Sequence, residues 1–229
     1  MQDTTWFEEV EEIIRGKRMM DHPFNVAWRE GRLKLEDIRH YGRQYFHHVD
    51  FFPRYVSAVH SNTPDMPTRQ MLVDNLREED EGPENHPELF LRFCEGTGLN
   101  RDEVLDADLR EETKKCVETF MDLAKNQNHL VGLSALFAYE SQQPELSGAK
   151  VKRLDVHYGI IDRRAYKFFE VHQEADVWHS QVERDALKKG ATTEEQRELV
   201  KKSVATACDA VLELFDGIAE SCGLSAPAA

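Results

Sequence analysis

The segment FFEVHQEADVWHSQ contains three residues that are typical metal ligands, His172, Asp176 and His179. They stand at i, i+4 and i+7, which places them within about 60° of one another around a helix of 3.6 residues per turn. Two imidazoles and a carboxylate on one stripe are a ligand set that a redox-active iron or manganese ion accepts. Such an ion in a helical bundle points to oxygen or electron chemistry. The same spacing also occurs on solvated helix faces, so the interpretation needs ligands from other segments.

One further segment, NLREEDEGPENHPEL, contains a second candidate pair. Glu79 and His86 are seven residues apart, which returns to within about 20° of the same face if the helix continues. Pro83 lies between them and threatens that continuity, so we expect His86 to start the next helix. Glu79 stands in the acidic run REEDE, where solvent exposure is the usual outcome, and exposure is expected for Glu78 and Glu81.

The segment LSALFAYESQQP contributes a single acid, Glu140, at the end of an apolar run. An acid on an otherwise buried helix must be paired, protonated or bound to metal. The three segments together offer three histidines and three carboxylates: Glu79, His86, Glu140, His172, Asp176 and His179. This donor set suits two Fe(II) or Mn(II) ions that share a bridging carboxylate and keep open positions for O₂. Structural zinc is disfavoured because no cysteine is placed to help bind it.

The elements that must position these side chains are predicted to be helices. Helical periodicity is found along nearly the whole chain, whereas alternating β-branched runs are missing. We therefore predict one all-α domain over residues 1–229, a bundle of about eight or nine helices. The helices that carry or flank the candidate ligands are expected after Pro67 and at about 86–95, 130–141, 149–154 and 163–188.

Composition and charge restrict the possible partners and location. The net charge of -14 disfavours nucleic acid and an anionic membrane as partners, since both would be repelled. The N-terminal segment MQDTTWFEEVEEII lacks the regions of a secretory signal, and the longest nearly apolar run, 131–139, is too short to span a bilayer. The four cysteines form no C-x-x-C pair, which favours reduced, mostly buried thiols in a cytoplasmic protein.

These segments resemble the haem-oxygenase-like non-haem diiron oxidases, and most closely the subfamily named for the chlamydial protein associating with death domains (CADD-like). The resemblance covers most of the chain and includes HPFNVAW, FPRYVSAVHS, NLREEDEGPENHPELF, YESQQP and EADVWH. It implies a haem-oxygenase-like bundle, a homodimer, and O₂ activation at two Fe ions, or one Fe and one Mn, held by the six residues above. The HPF motif also occurs in the more distant PqqC relatives.

In that subfamily the implied product is p-aminobenzoate for folate synthesis, made from one of the protein's own tyrosines with a lysine as nitrogen source. Lys150 matches that lysine, and Tyr139 and Tyr41 match active-site tyrosines of the family. Two positions depart from the pattern, because Asn25 follows the HPF motif and Phe168 stands four residues before the first histidine of the stripe. The subfamily has tyrosines at both positions.

Several alternatives stay open from the sequence. Another tyrosine can be consumed, or the centre can oxidise a diffusible small molecule. A metal-free enzyme of TenA or PqqC type is a further alternative. TenA-like members use a cysteine nucleophile, and no cysteine lies beside Glu140 or the histidine stripe. The last alternative is a non-catalytic interaction protein. Lys150 can instead be a solvated cation, and Tyr139, Tyr41 and Tyr45 can be core aromatics.

Overall fold

The computed structural model describes residues 5–224, and every regular element among them is a helix. Its α-helices are α1 (Thr5–Gly16), α2 (Pro23–Arg29), α3 (Leu35–Asn62), α4 (Met66–Asp80), α5 (His86–Gly96), α6 (Arg101–Leu105), α7 (Glu111–Lys125), α8 (His129–Glu140), α9 (Gln143–Val151), α10 (Lys167–Gly190) and α11 (Glu194–Ser221). Nine of these described helices have nine or more residues, and α2 and α6 are shorter. The predicted all-α class is confirmed.

Helix α8 lies at the centre of the bundle. Its sequence, HLVGLSALFAYE, is apolar on all sides, and every residue from Leu130 to Glu140 is buried. A helix that is hydrophobic all round is typical of a core position, and α8 packs against α3, α7, α10 and α11. Because Glu140 ends this helix, its carboxyl group is carried into the interior.

The break between α4 and α5 follows from the residues at 81–85. Gly82 adopts a φ of 80°, in the left-handed region that favours glycine, and Pro83 cannot continue a hydrogen-bonded helix. The Asn85 side chain then accepts a hydrogen bond from the Glu88 backbone N–H at 2.9 Å and caps α5. His86 is consequently the first residue of α5, as predicted.

Two predicted helix positions were wrong. The short helix expected at 149–154 is α9, which begins earlier, at Gln143. Pro144 lies in its first turn, where backbone N–H groups make no intrahelical hydrogen bond, so a proline is tolerated there. The helix with the histidine stripe begins at Lys167, because residues 163–165 form a 3-10 turn before it.

Other sequence-based expectations concern the surface and the thiols. No helix within residues 5–224 combines the length and apolarity needed to cross a membrane. The four cysteines are free, and Cys94, Cys116 and Cys208 are buried, as predicted. The tail SAPAA, which was expected to fray, lies outside the described residues.

Candidate metal centre

The six predicted ligands gather in the interior as two groups of three. Site one consists of Glu79, His86 and His172, and site two consists of Glu140, Asp176 and His179. Within each group, one ligand atom per residue lies within 4.8 Å of the others, and all six residues are buried. The groups draw on four helices, so distant stretches of the chain converge as the sequence predicts.

Site one is built across the break between α4 and α5. Glu79 lies in the last turn of α4, and its Oε1 is 2.9 Å from Nδ1 of His86 at the start of α5. His172 on α10 faces this pair, with 4.4 Å between the two imidazole centroids. The Nδ1–H of His172 donates to the Phe168 carbonyl at 2.6 Å, which leaves Nε2 as the nitrogen available to an ion.

Site two joins the end of α8 to the middle of α10. Nδ1 of His179 lies 3.6 Å from Asp176 Oδ1 and 3.8 Å from Glu140 Oε1. The Asn75 amide donates to Glu140 Oε1 at 2.9 Å and fixes that carboxyl. Glu78, expected to be an ordinary surface acid, is exposed, but its Oε2 lies 3.4 Å from Nε2 of His179. At that distance Glu78 makes no hydrogen bond to the ring, and Nδ1 of His179 is the nitrogen that faces Glu140 and Asp176.

Burial controls the protonation of these groups. Loss of hydration raises the pKa of Glu79 to about 8 and those of Glu140 and Asp176 to about 7. The same cause lowers the pKa of His86 and that of His172 to about 4. Divalent cations would reverse the effect on the carboxyl groups, because they favour the ionised form.

The donor atoms of these residues fit a pair of metal ions. Both Asp176 carboxyl oxygens, Glu140 Oε2 and both ring nitrogens of His179 find no hydrogen-bond partner among the described residues. Buried polar atoms without partners are rare and need an explanation, such as a bound ion. A donor set of imidazole nitrogen and carboxylate oxygen, without sulfur, suits iron and manganese.

Both sites face one small cavity. Its walls include members of each site, together with apolar and aromatic side chains: Glu79, His172, Glu140, Asp176, Val49, Phe52, Tyr139 and Phe168. The cavity volume is about 10 Å³, which is room for roughly one water-sized molecule. A small diatomic molecule is therefore better matched to this space than an organic substrate.

Lys150 is buried, which corrects the alternative that it is a solvated cation. Its exposed fraction is 3%, and its Nζ donates to the Tyr41 hydroxyl at 2.9 Å and lies 4.2 Å from that ring's centroid. Burial among aromatic rings lowers the pKa of Lys150 well below its usual value. A neutral amine is a nucleophile, so this lysine has the chemistry needed for nitrogen transfer.

A row of tyrosines connects Lys150 to the cavity. Tyr41 stacks on Tyr45 with 4.8 Å between ring centroids, and the Tyr45 and Tyr139 hydroxyls are hydrogen-bonded at 2.7 Å. Tyr139 forms part of the cavity wall and precedes Glu140 in sequence. The three tyrosines are buried core aromatics, and they also form a continuous path from site two to the Lys150 amine.

The two positions that depart from the subfamily pattern have structural contacts. The Asn25 amide donates to the Met19 carbonyl at 2.8 Å. The ring of Phe168 lies 4.2 Å from that of His172 and 4.8 Å from that of Phe90, measured between centroids. Neither side chain carries a phenol hydroxyl, so Tyr41 is the tyrosine whose hydroxyl meets the Lys150 amine within the described residues.

One buried acid beside the centre was not predicted. Glu183 is fully buried on α10, and its carboxyl group lies beside that of Glu140. Burial and the Glu140 charge raise the pKa of Glu183 well above its usual value. The sequence contained a signal, because Glu183 continues the stripe four residues after His179 and seven after Asp176.

Comparison with known proteins supports these observations. Residues 39–211 match a family model described as iron-containing redox enzyme. The chain is 40% identical to a 4-aminobenzoate synthase of Nitrosomonas europaea, over 96% of this chain and 94% of that protein. It is 31% identical to a 4-aminobenzoate synthase of Chlamydia trachomatis serovar D, over 94% and 88%. A pyrroloquinoline-quinone synthase of Ectopseudomonas mendocina is 27% identical over 70% and 66%.

Solved structures identify the fold. A TenA homologue from Pseudomonas syringae superposes with a TM-score of 0.82 at 14% identity, covering 94% of this chain and 93% of that one. A domain with a heme oxygenase-like fold from Shewanella denitrificans gives 0.77 at 16%, covering 95% and 92%. A CADD-like protein of unknown function from Nostoc punctiforme gives 0.76 at 16%, covering 96% and 99%. The predicted haem-oxygenase-like bundle is confirmed.

Proposed function

Because the chain belongs to the family of iron-containing redox enzymes and is similar along its length to 4-aminobenzoate synthases, we propose that it is itself an O₂-dependent 4-aminobenzoate synthase with a two-metal centre. 4-Aminobenzoate is the p-aminobenzoate of folate synthesis. Site one would hold one ion and site two the other, as two Fe ions or one Fe and one Mn. These ions, when bound, supply the redox chemistry that activates O₂.

We propose that the substrate is the protein's own Tyr41 and that Lys150 supplies the nitrogen. The observation that carries this proposal is the 2.9 Å hydrogen bond from Lys150 Nζ to the Tyr41 hydroxyl in a buried aromatic pocket. The tyrosine side chain already has the para-substituted ring of the product. Its hydroxyl is the group that an amine must replace, and the Lys150 amine lies beside it.

The proposed reaction breaks the Cα–Cβ bond of Tyr41, and Cα takes up a hydrogen and stays in the chain as glycine. Cβ gains oxygen from water and loses four electrons as it becomes the carboxylate carbon of the product. O₂ is the electron acceptor and is reduced to water. The Lys150 nitrogen replaces the phenol oxygen, which leaves as water, and forms the aromatic C–N bond. The Nζ–Cε bond breaks, and a hydroxyl group from water takes the place of nitrogen on Cε. Each chain can complete this reaction once, because both Tyr41 and Lys150 are consumed.

The intervening residues have distinct roles in this proposal. Tyr139 stands at the cavity wall, and its hydroxyl exchanges a proton with that of Tyr45 across their 2.7 Å hydrogen bond. The stacked rings of Tyr45 and Tyr41 continue the path toward Lys150. Apolar walls such as Val49 and Phe52 exclude water from the cavity.

The alternatives are less well supported. A diffusible organic substrate needs space near the ions, and the cavity volume is only about 10 Å³. A metal-free enzyme would leave the unpartnered donors of site two, such as Asp176 and His179, without a purpose. The same cluster argues against a purely non-catalytic interaction protein.

The test is a single turnover of protein whose lysine side-chain amines are labelled with ¹⁵N. The protein is loaded anaerobically with Fe(II), or with Fe(II) and Mn(II), reduced and then exposed to O₂. We expect labelled 4-aminobenzoate, at most one per chain, with mass changes confined to the peptides of Tyr41 and Lys150. Tyr41→Phe and Lys150→Met should give none.

Tyr55→Phe is the matched control, because Tyr55 is buried and its hydroxyl has no hydrogen-bond partner among the described residues. It should yield product like the wild type. Undiminished product from Tyr41→Phe would show that another tyrosine is consumed, and product without any change in protein mass would show a diffusible substrate. Either result would overturn the assignment of Tyr41.

A further inference from the structure

Glu183 is a buried acid that is not one of the six candidate ligands of sites one and two. Its exposed fraction is 0%, and no donor group of the described residues reaches either of its carboxyl oxygens. The carboxyl group beside it is that of Glu140, which belongs to site two. Two buried carboxyl groups that face each other are unfavourable unless a proton or a cation lies between them.

The position of Glu183 on α10 also directs it to the centre. It follows His172 by eleven residues, which returns to within about 20° of the same helix face. His172, Asp176 and His179 occupy that stripe and all point into the two sites. Glu183 is therefore the next side chain of the ligand stripe, one turn beyond His179, on the side where Glu140 lies.

Charge balance supplies a second argument. With neutral histidines, the two sites contain three carboxylates, Glu79, Glu140 and Asp176, against the four positive charges of two divalent ions. One positive charge would remain uncompensated in a fully buried centre, which is costly. A fourth carboxylate brings the net charge to zero.

We propose that Glu183 is a fourth carboxylate of the metal centre and binds the ion at site two. This inference rests on the two-metal centre of the proposed function and adds a ligand to it. The competing role is that Glu183 only positions Glu140, by donating a hydrogen bond to it. Glutamine at position 183 distinguishes the two roles. Its amide can still donate a hydrogen bond to Glu140, but it is a poor substitute for an anionic metal ligand.

The test measures binding of Mn(II), as the only added metal, to anaerobic wild-type and Glu183→Gln proteins. We expect two ions per wild-type chain and one per Glu183→Gln chain at the Mn(II) concentration that fills both wild-type sites. Glu174→Gln is the matched control, because it removes a charge from the exposed face of α10 and should keep two ions. Two ions in Glu183→Gln, with affinities within a factor of about three of wild type, would overturn the proposal.

A crystal structure of the Mn(II)-loaded wild-type protein covers the case in which Glu183→Gln does not fold. We expect a Glu183 oxygen in direct contact with the site-two Mn(II), slightly beyond the roughly 2.0–2.2 Å that carboxylate oxygens keep from the smaller Zn²⁺ ion. A Glu183 side chain that contacts only Glu140 would overturn the proposal. Neither measurement involves O₂ or product, so failure of 4-aminobenzoate synthesis would leave this result standing.

Discussion

At the scale of single residues, burial determines which chemistry each side chain can perform. Lys150 loses its hydration among aromatic rings, and the Tyr41 hydroxyl, to which its amine donates a hydrogen bond, is neutral. The uncharged amine is thereby favoured, which is the form that can act as a nucleophile. The sequence could not reveal this, because in GAKVKRL the lysine stands among other basic residues and nothing local separates a buried cation from a solvated one.

The stability of the protein should depend on pH through Lys150. Its pKa is lowered in the folded state, so between that value and 10.5 the unfolded chain binds more protons and stability rises with pH. Lys150→Met lacks this dependence. We therefore expect Lys150→Met to be more stable than wild type at neutral pH, with a difference that shrinks as pH approaches 10.5. Urea unfolding of the metal-free proteins across this pH range measures the difference in free energy of unfolding. A difference that does not change with pH would contradict the lowered pKa of Lys150.

Removal of the Tyr45 hydroxyl should interrupt the path from the cavity to Tyr41. Tyr45→Phe keeps the ring stack but loses the 2.7 Å hydrogen bond to Tyr139. We expect the rate of 4-aminobenzoate formation to fall about tenfold or more, equivalent to roughly 1.4 kcal/mol in the barrier. Metal content should not change. Equal rates in Tyr45→Phe and in the Tyr55→Phe control would remove Tyr45 from the mechanism.

At the scale of elements, the break between α4 and α5 is what brings Glu79 and His86 together. The sequence predicts this break from Pro83, and it predicts that His86 begins a helix. It does not predict that the chain turns so that Nδ1 of His86 lies 2.9 Å from Glu79 Oε1. That distance depends on how α4 and α5 pack against α3 and α10, which is a tertiary property.

The cap of α5 should therefore affect metal binding. Asn85→Ala removes the hydrogen bond to the Glu88 N–H and should cost about 1 kcal/mol of stability. We expect it also to weaken metal binding at site one, because His86 is the next residue. Asn100→Ala removes the equivalent cap of α6, where no ligand lies, and should cost similar stability with unchanged metal affinity. Urea unfolding and Mn(II) titration compare the two, and equal metal affinities would refute the coupling.

At the scale of the whole molecule, the sequence predicted the fold class and the six clustered donors because helical periodicity and ligand spacing are local signals. It missed Glu183 and the contact of Glu78 with His179, because both depend on which helices become neighbours. It also placed α9 too late, since a proline in the first turn looks like a helix end. The homodimer stays a prediction.

The buried centre should make the metal-free protein less stable as pH rises from about 6.5 to 8, and the Lys150→Met background shows this without the opposing effect of Lys150. In this range the unfolded carboxyl groups are ionised, whereas the folded pKa of Glu79 is about 8 and those of Glu140 and Asp176 are about 7, so the folded state binds more protons. The histidines, with pKa values lowered to about 4 from 6.5, act in the opposite direction only below 6.5.

Added Mn(II) should abolish this loss of stability. At a free Mn(II) concentration of 100 times Kd, it should raise the free energy of unfolding by about 2.7 kcal/mol per site at fixed pH. Thermal unfolding with and without metal provides the comparison. The Glu79→Gln variant should show a smaller loss between pH 6.5 and 8 when metal-free. Stability that rises over this range in the metal-free Lys150→Met protein would contradict the assignment of the buried acids.

The most direct measurement is the number of ions bound per chain when anaerobic protein is titrated with Fe(II) or Mn(II). We predict two ions for the wild type, and one for His86→Ala and one for His179→Ala, because each variant disables a different site. The double variant should bind none. A wild-type chain that binds no ion, or a ratio that neither histidine substitution lowers, would contradict the two-metal centre.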